Sequence, residues 1–355
     1  MELGVKRLSD AFDPRANGLN FVRLLLAGGV IVAHALVFSG VHVPAPFAQV
    51  VNQGFVDGFF AISGYLIVAS WMRRPQWWEF LRARLLRILP AFYVCLVVTA
   101  FVLAPIGILV SGQAFPEGFW QGAAAYVFRN LGLYINDFAI SGTPTGVVDP
   151  GWNGSLWTLF WEFLCYLAVL VLGVVGLLKR AATLPIAFAL AMGGVIATSY
   201  GPIENPYVGF LARFGVMFIA GAAIYQFRRR IPVGLLPVAI AAAALVASIW
   251  LPDYRLLAPL PIAYLLLLLG ASIRTEKLRF RNDVSYGVYI YAFPVQQILA
   301  LAGVVNLGLA VYVPACIVLT LPLALGSWFL IEKPALRFKL RDSRPQTLQE
   351  SVAKV

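Results

Sequence analysis

From Asn20 to Leu330 the chain is a succession of apolar runs, separated by proline-marked breaks and charged turns. Each run has the roughly 20 residues that an α-helix needs to cross ~30 Å of hydrocarbon. Within a bilayer the backbone must satisfy its own hydrogen bonds, which leaves only helices or a closed barrel. A barrel would show short segments of alternating polarity, and none is present. Composition agrees: 61% of the residues are hydrophobic and only 12% charged, against roughly 25% charged in soluble domains. The expected fold is therefore all-α, a polytopic helical bundle embedded in a lipid bilayer.

Ten spans are expected, at 20–39, 54–72, 88–110, 155–178, 183–200, 208–227, 232–250, 255–273, 284–302 and 308–330. Basic residues sort strongly between the two sides. Lys6, Arg7, Arg15, Arg73, Arg74, Arg82, Arg84, Arg87, Lys179, Arg180, the triplet 228–230, Arg274, Lys277, Arg279, Arg281, Lys333, Arg337, Lys339 and Arg341 fall on one side. Arg129, Arg213 and Arg255 fall on the other. By the positive-inside rule both termini are cytoplasmic, and the asymmetry fits a multi-pass protein of a cell inner membrane. The net charge of +11 is thus assigned to topology, not to nucleic acid. The segment 119–135 is apolar, but a crossing there would invert every later loop; it is expected to be a re-entrant or interfacial helix. The expected division is a cytoplasmic segment 1–19, a transmembrane unit 20–334 and a cytoplasmic tail 335–355. Cys95, Cys165 and Cys316 lie in apolar runs at spacings that fit neither zinc nor a disulfide framework, so they read as packing residues, and no metal is expected. The first run is too long for a signal-peptide core and is kept as a span.

Polar residues inside these runs are costly and mark candidate sites. Arg23 and His34 are eleven residues apart, so they share one helix face about 16 Å apart. His34 can act as a proton acceptor and donor, or it can be a hydrogen-bonded core histidine beside a snorkelling arginine. Asp57 in the second span calls for a partner, and Ser63 with Gly64 permits close helix approach or contacts a substrate. Arg84 and Arg87 share a face at the start of the third span, where they serve topology or hold phosphate. Glu162 lies two turns into the fourth span and must be protonated, paired or turned to a polar cavity. Asn153 sits in a glycosylation-type tripeptide of the sort common by chance. Glu332 and Lys333 can form a local ion pair. The loop 136–155, the longest polar stretch outside the termini, is a candidate functional loop. Such a site fits either a transferase passing a group across the membrane or a transporter or flippase.

The chain resembles membrane acyltransferase family 3 from about Asn20 to Pro334. The resemblance rests on Arg23 and His34 at the family's spacing, "FFAISGY" containing Ser63, "RLLRILP" with Arg84 and Arg87, Trp157-Thr158-Leu159 with Glu162, "SYGVYI" with Tyr286 and Tyr289, and Glu332 with Pro334. It implies an integral membrane O-acyltransferase that moves an acyl group, most often acetyl, from cytoplasmic acyl-CoA to a hydroxyl of a carbohydrate or glycolipid acceptor. It implies an essential His34, with Arg23, Arg84 and Arg87 on the donor. His34 is expected to act as general base on the acceptor hydroxyl or as the acyl-carrying nucleophile, with Glu162 or Asp57 orienting or balancing the imidazole. Ser63, Trp157, Tyr286 and Tyr289 would contact the acceptor or pack. Two positions depart from the family pattern: Asn20 stands where aspartate is common, and Ala292 where a second histidine is common. No fused extracytoplasmic domain is expected. The competing reading is a transporter or flippase for a lipid-linked sugar.

Overall fold

The computed structural model describes residues 6–340 apart from Arg15, Pro202 and Arg274; the side chains of Lys339 and Leu340, like Arg341 and the remainder of the tail, lie outside the described residues. The expectations that rest on Arg15, Arg274, Lys339 and Arg341 fall there too. Among the described residues every regular element is a helix, with only two isolated β-bridges, Arg7 with Pro232 and Ile140 with Thr143.

A short α1 (Leu8–Ala11) precedes α2 (Leu19–Phe38) and α3 (Phe47–Arg73). Then α4 (Trp77–Val98) passes through a π-helical segment, Thr99–Leu103, into α5 (Ala104–Val110). The same device recurs where α13 (Leu309–Gly326) passes through Ser327–Glu332 into α14 (Lys333–Leu340). Each π segment immediately precedes or abuts the first turn of a helix carrying a proline, Pro105 in one case and Pro334 in the other. Proline has no N–H and its ring crowds the carbonyl four residues back. A π turn widens the helix there and lets the rod continue. Between the rods lie α6 (Phe119–Arg129), α7 (Thr158–Val174), α8 (Thr183–Tyr200), α9 (Pro206–Phe227), α10 (Leu235–Ser248), α11 (Pro259–Ser272) and α12 (Ser285–Leu301). Asn205 caps α9 by accepting from the N–H of Tyr207 at 2.9 Å, with Pro206 in the first turn.

Among the described residues six helical stretches are long and apolar enough to cross a membrane: Leu19–Phe38, Phe47–Arg73, Trp77–Val110, Thr183–Tyr200, Pro206–Phe227 and Leu309–Phe338. The other four segments expected to span hold the shorter helices α7, α10, α11 and α12. Of these, α12 is buried along almost its whole length, including Gln296 and Gln297 at 0% exposure. It is a central helix wrapped by protein, which is why its sequence tolerates amides and tyrosines that lipid would not. The segment expected to be interfacial contains α6, whose 11 residues reach only about 16 Å.

Chain ends and turns meet in two groups. At one end Leu8 N–H donates to Ile231 O (3.0 Å), Val233 N–H to Lys6 O (2.8 Å), Gly18 N–H to Gly270 O (2.8 Å) and the Gln226 amide to Arg180 O (3.1 Å). These bonds gather Lys6, Arg7, Arg180 and the 228–230 triplet, so we refer to this as the basic end. At the opposite end the Gln49 amide donates to Pro252 O (2.6 Å) and the Gln297 amide to Asp149 O (2.6 Å) and Gly151 O (2.7 Å). The loop 136–155 is packed against the bundle here. Trp152 is fully buried, with its indole N–H on Thr143 Oγ1 (3.0 Å). Asn153 is likewise fully buried and donates to Ile290 O (2.8 Å). Its tripeptide is therefore a chance match to a sequon: the amide is already spent inside the bundle.

Helices α3 and α9 approach most closely where Gly64 faces the carbonyl of Phe218 and Gly221 faces that of Ala61. Phe60 stacks on Phe214 beside them, with centroids 4.4 Å apart. Small residues that allow backbones to touch are a common basis of helix association in lipid, where apolar side chains gain nothing by leaving the solvent. Cys95, Cys165 and Cys316 are free and buried.

Candidate active site

Two pockets lie one above the other against the inner face of α2. The upper one, about 230 Å³, is lined by His34, Asn52, Gln53, Trp157, Arg213 and Arg255 among others. The lower one holds only about 30 Å³ and is lined by Arg23, Phe59, Glu162 and Tyr286. Val56, Thr158 and Tyr289 line both. The face shared by Arg23 and His34 thus becomes the common wall of two adjoining spaces, with Arg23 toward the basic end. Tyr289 donates to or accepts from Thr158 Oγ1 at 2.5 Å and forms part of the partition. Trp157 packs on Phe210 with centroids 4.8 Å apart, lining the upper cavity with aromatic surface. The lower pocket has about the volume share of one water molecule, so a larger group can pass only if side chains there move.

Below the pockets, charges are knotted together. Arg23 pairs with Asp283. Arg87 reaches Asp283 Oδ2 at 2.6 Å with one terminal nitrogen and Glu332 Oε2 at 3.1 Å with the other. Ser327 Oγ donates to Glu332 Oε1 at 3.0 Å. Burial pushes the Asp283 carboxyl up, but Arg23 and Arg87, helped by the hydroxyl and N–H of Ser285, overcome it and hold Asp283 below the usual carboxylate range. Asp283 is therefore a shared anion that joins α2, α4 and α12. The Arg87 guanidinium also lies near the rings of Tyr286 (5.6 Å) and Trp328 (5.7 Å). Both terminal nitrogens of Arg87 thus lie on carboxylates, an engagement that competes with its expected contact to the donor, and Glu332 pairs with Arg87 instead of its chain neighbour Lys333. Arg84 is different: Nη2 makes only a long 3.4 Å bond to Ser70 Oγ, and its buried Nε has no partner.

Above the pockets a second cluster forms. Tyr254 donates to Asp57, and Arg255 Nε pairs with Asp57 Oδ2 at 2.6 Å. Asp253 receives Arg213 Nε at 2.7 Å and Arg255 Nη1 at 3.4 Å. Arg213 and Arg255 thereby present to the upper cavity with carboxylates behind them. Asp57 is fully buried and committed to Arg255 and Tyr254. Glu162 accepts from Ser63 Oγ at 2.7 Å and from the hydroxyl of Tyr166 at 2.5 Å. Neither carboxylate bonds to His34 in this structure. A fully buried acid needed a cation, and the cation for Asp57 lies almost 200 residues away in the chain. Tyr286 donates to Ile88 O at 3.0 Å and packs beneath the lower pocket. Sequence reasoning missed Asp283, Asp253, Tyr254 and Gln296 altogether. For Asp283 and Gln296 a signal existed: each is a polar residue at or inside an apolar span. Among the described residues no three His, Cys, Asp or Glu side chains gather where a metal could be held.

Residues 16–329 match the acyltransferase domain family, and the chain belongs to that family. It is accordingly a multi-pass membrane acyltransferase, which decides between the enzyme and transporter readings. Among its relatives is an O-acetyl transferase of Shigella phage Sf6, 29% identical over 342 residues, covering 93% of this chain and 98% of the phage protein. Another is nodulation protein 10 of Rhizobium leguminosarum bv. viciae, 28% identical over 365 residues, covering 92% of this chain and 94% of that protein. O-acetyltransferase OatA of Staphylococcus aureus (strain NCTC 8325 / PS 47) is 32% identical over 148 residues, 38% of this chain and 23% of OatA. No solved structure matches this chain.

Proposed function

We propose that this acyltransferase moves an acetyl group from acetyl-CoA in the cytoplasm to a hydroxyl of a cell-surface carbohydrate or glycolipid. The observation that carries the reading is the pair of adjoining pockets, with Arg23 in the one toward the basic end and His34 in the one beyond. Donor and acceptor can then approach a single histidine from opposite ends. The relatives named O-acetyl transferase and O-acetyltransferase support the choice of acetyl and of oxygen as its recipient.

In this reading the thioester enters past Arg84 and Arg23, and side chains around Tyr289 and Phe59 give way to it. The acceptor hydroxyl enters the upper cavity, where Trp157, Asn52 and Gln53 hold the sugar and His34 takes its proton. The freed oxygen attacks the thioester carbonyl, the C–S bond breaks, and the imidazolium returns the proton to the CoA sulfur. Ser63, Tyr286 and Tyr289 shape the path and Glu162 holds its polar wall. Residues 20–334 are the transferase unit. Ten crossings, with the four shorter helices completing the bundle, leave 1–19 and 335–355 in the cytoplasm of a cell whose inner membrane holds the protein.

The test follows CoA release from acetyl-labelled acetyl-CoA by purified protein in lipid, with a mixture of cell-envelope glycans as acceptor. Release and label transfer should occur in the wild type and vanish in His34→Ala that remains folded. Equal turnover in the two proteins would remove His34 from the reaction.

A further inference from the structure

The ring of His34 has two nitrogens, and the chemistry above needs one of them bare. Its Nδ1 is buried and has no hydrogen-bond partner of good geometry. The same is true of Gln296 Oε1 on α12. Buried polar atoms without partners are rare, and each calls for an explanation. These two belong to neighbouring side chains. Phe293, one turn before Gln296, packs edge-on against the imidazole with centroids 5.1 Å apart, which puts Gln296 on the face of α12 that meets His34.

The amide cannot turn over freely. Gln296 is fully buried, and its Nε2 donates to Ile31 O at 2.8 Å, three residues before His34 on α2. Only the NH₂ end of an amide can make that bond. The backbone is held as well, because Tyr312 donates its hydroxyl to Gln296 O at 2.7 Å. With the nitrogen end spent on Ile31, the end left for histidine is an obligate acceptor. A neutral imidazole carries one N–H, and the partner of one nitrogen decides which nitrogen holds it.

We infer that Gln296 is the positioning residue for His34, accepting the Nδ1 proton so that Nε2 faces the upper cavity unprotonated and ready for the acceptor hydroxyl. The role is one the sequence left vacant, since Asp57 and Glu162 are engaged elsewhere. An amide suits it: orientation is fixed without a second charge in a site where an unpaired charge is costly. This inference rests on the proposed role of His34 as base.

The experiment compares Gln296→Met, Gln296→Glu and His34→Ala with the wild type, all in lipid and at matched thermal stability, reading kcat and KM for acetyl-CoA separately. Methionine fills the space but removes the acceptor. Its kcat should fall by about 100-fold, in the range that a misdirected general base costs, with KM for acetyl-CoA changed less than about twofold because the donor site is untouched. Gln296→Glu retains an acceptor oxygen and should recover about a tenth or more of the wild-type kcat. Wild-type kcat in Gln296→Met overturns the inference. So does equal loss in the methionine and glutamate variants, which marks a packing role only. If His34→Ala itself turns over normally, the role of His34 fails first, and the two failures are told apart.

Discussion

Alanine at Gly64 puts the packing of α3 on α9 to a direct test. A Cβ built there lies 1.8 Å from Phe218 O, 2.8 Å from its carbonyl carbon and 3.0 Å from Ala222 N. Across the same contact, a Cβ at Gly221 lies 1.8 Å from Ala61 O. All of these neighbours are backbone atoms and cannot swing aside. Real Cβ atoms essentially never come within 3.0 Å of such an atom, so the helices must part by over an ångström. A gap of about 0.5–1 Å already forfeits a quarter to a half of the dispersion energy of each contact. The parting also strains the Phe60–Phe214 stack and the Ser63–Glu162 bond next to it. Overpacking typically costs about 1–3 kcal/mol, and Gly64→Ala and Gly221→Ala should sit at or above the top of that range. Gly28, within α2, is the control, because a Cβ there meets nothing within 4 Å. Gly28→Ala should gain about 0.5–1 kcal/mol from the lower backbone entropy of the unfolded chain. Thermal unfolding in detergent, followed by the amount of monodisperse protein remaining, reads all three. The unfolding temperature should drop for the first two and hold or rise for the third. Wild-type stability in Gly64→Ala would falsify the close approach of α3 and α9.

The charge knot at the basic end gives two more expectations. Because Arg23 and Arg87 hold Asp283 below the usual carboxylate range against the pull of burial, its pairing stabilises the fold above the unfolded pKa of about 3.9 and is lost as pH falls below it. Asp283→Asn should therefore unfold well below the wild type at neutral pH, by on the order of 3 kcal/mol for a broken buried pair, and a melting series should show the gap closing only under about pH 4. Arg87→Gln and Arg84→Gln should part company. Loss of Arg87 strands Glu332 and should lower folded yield by a similar ~3 kcal/mol, whereas loss of Arg84 should leave stability near wild type and raise KM for acetyl-CoA. Raised KM in a fully stable Arg87→Gln would return that arginine to the donor.

The face joining Arg23 and His34 was legible because it depends on helical periodicity within one segment, and periodicity is local. Pairings across the bundle were not. Asp57 demanded a cation, but nothing in its own helix says that Arg255 supplies it, or that Asp283 divides itself between Arg23 and Arg87. Those choices are made when helices far apart in sequence are brought together by packing. The arginines at 84 and 87 illustrate the limit: three residues apart on one face, they read as a pair, yet Arg87 is consumed by Glu332 and Asp283 while Arg84 keeps unpartnered nitrogen. Gln296 was passed over because an amide in an apolar run looks like a tolerated defect until its nitrogen is seen on Ile31 O and its oxygen left without a partner inside the bundle. The span count also depended on context. Hydrocarbon thickness sets the length of a lipid-facing crossing, whereas α12 is surrounded by protein.

The most direct test of a histidine served from both ends uses proteoliposomes with the protein in one known orientation. Acetyl-CoA is supplied to a single side, with cell-envelope glycans on both, and CoA release is followed for the wild type and His34→Ala. Release is expected only when acetyl-CoA is on the side bearing the 228–230 arginines, and in neither arrangement for His34→Ala. Release from the opposite side, or release that does not need His34, would contradict donor entry past Arg23 toward His34.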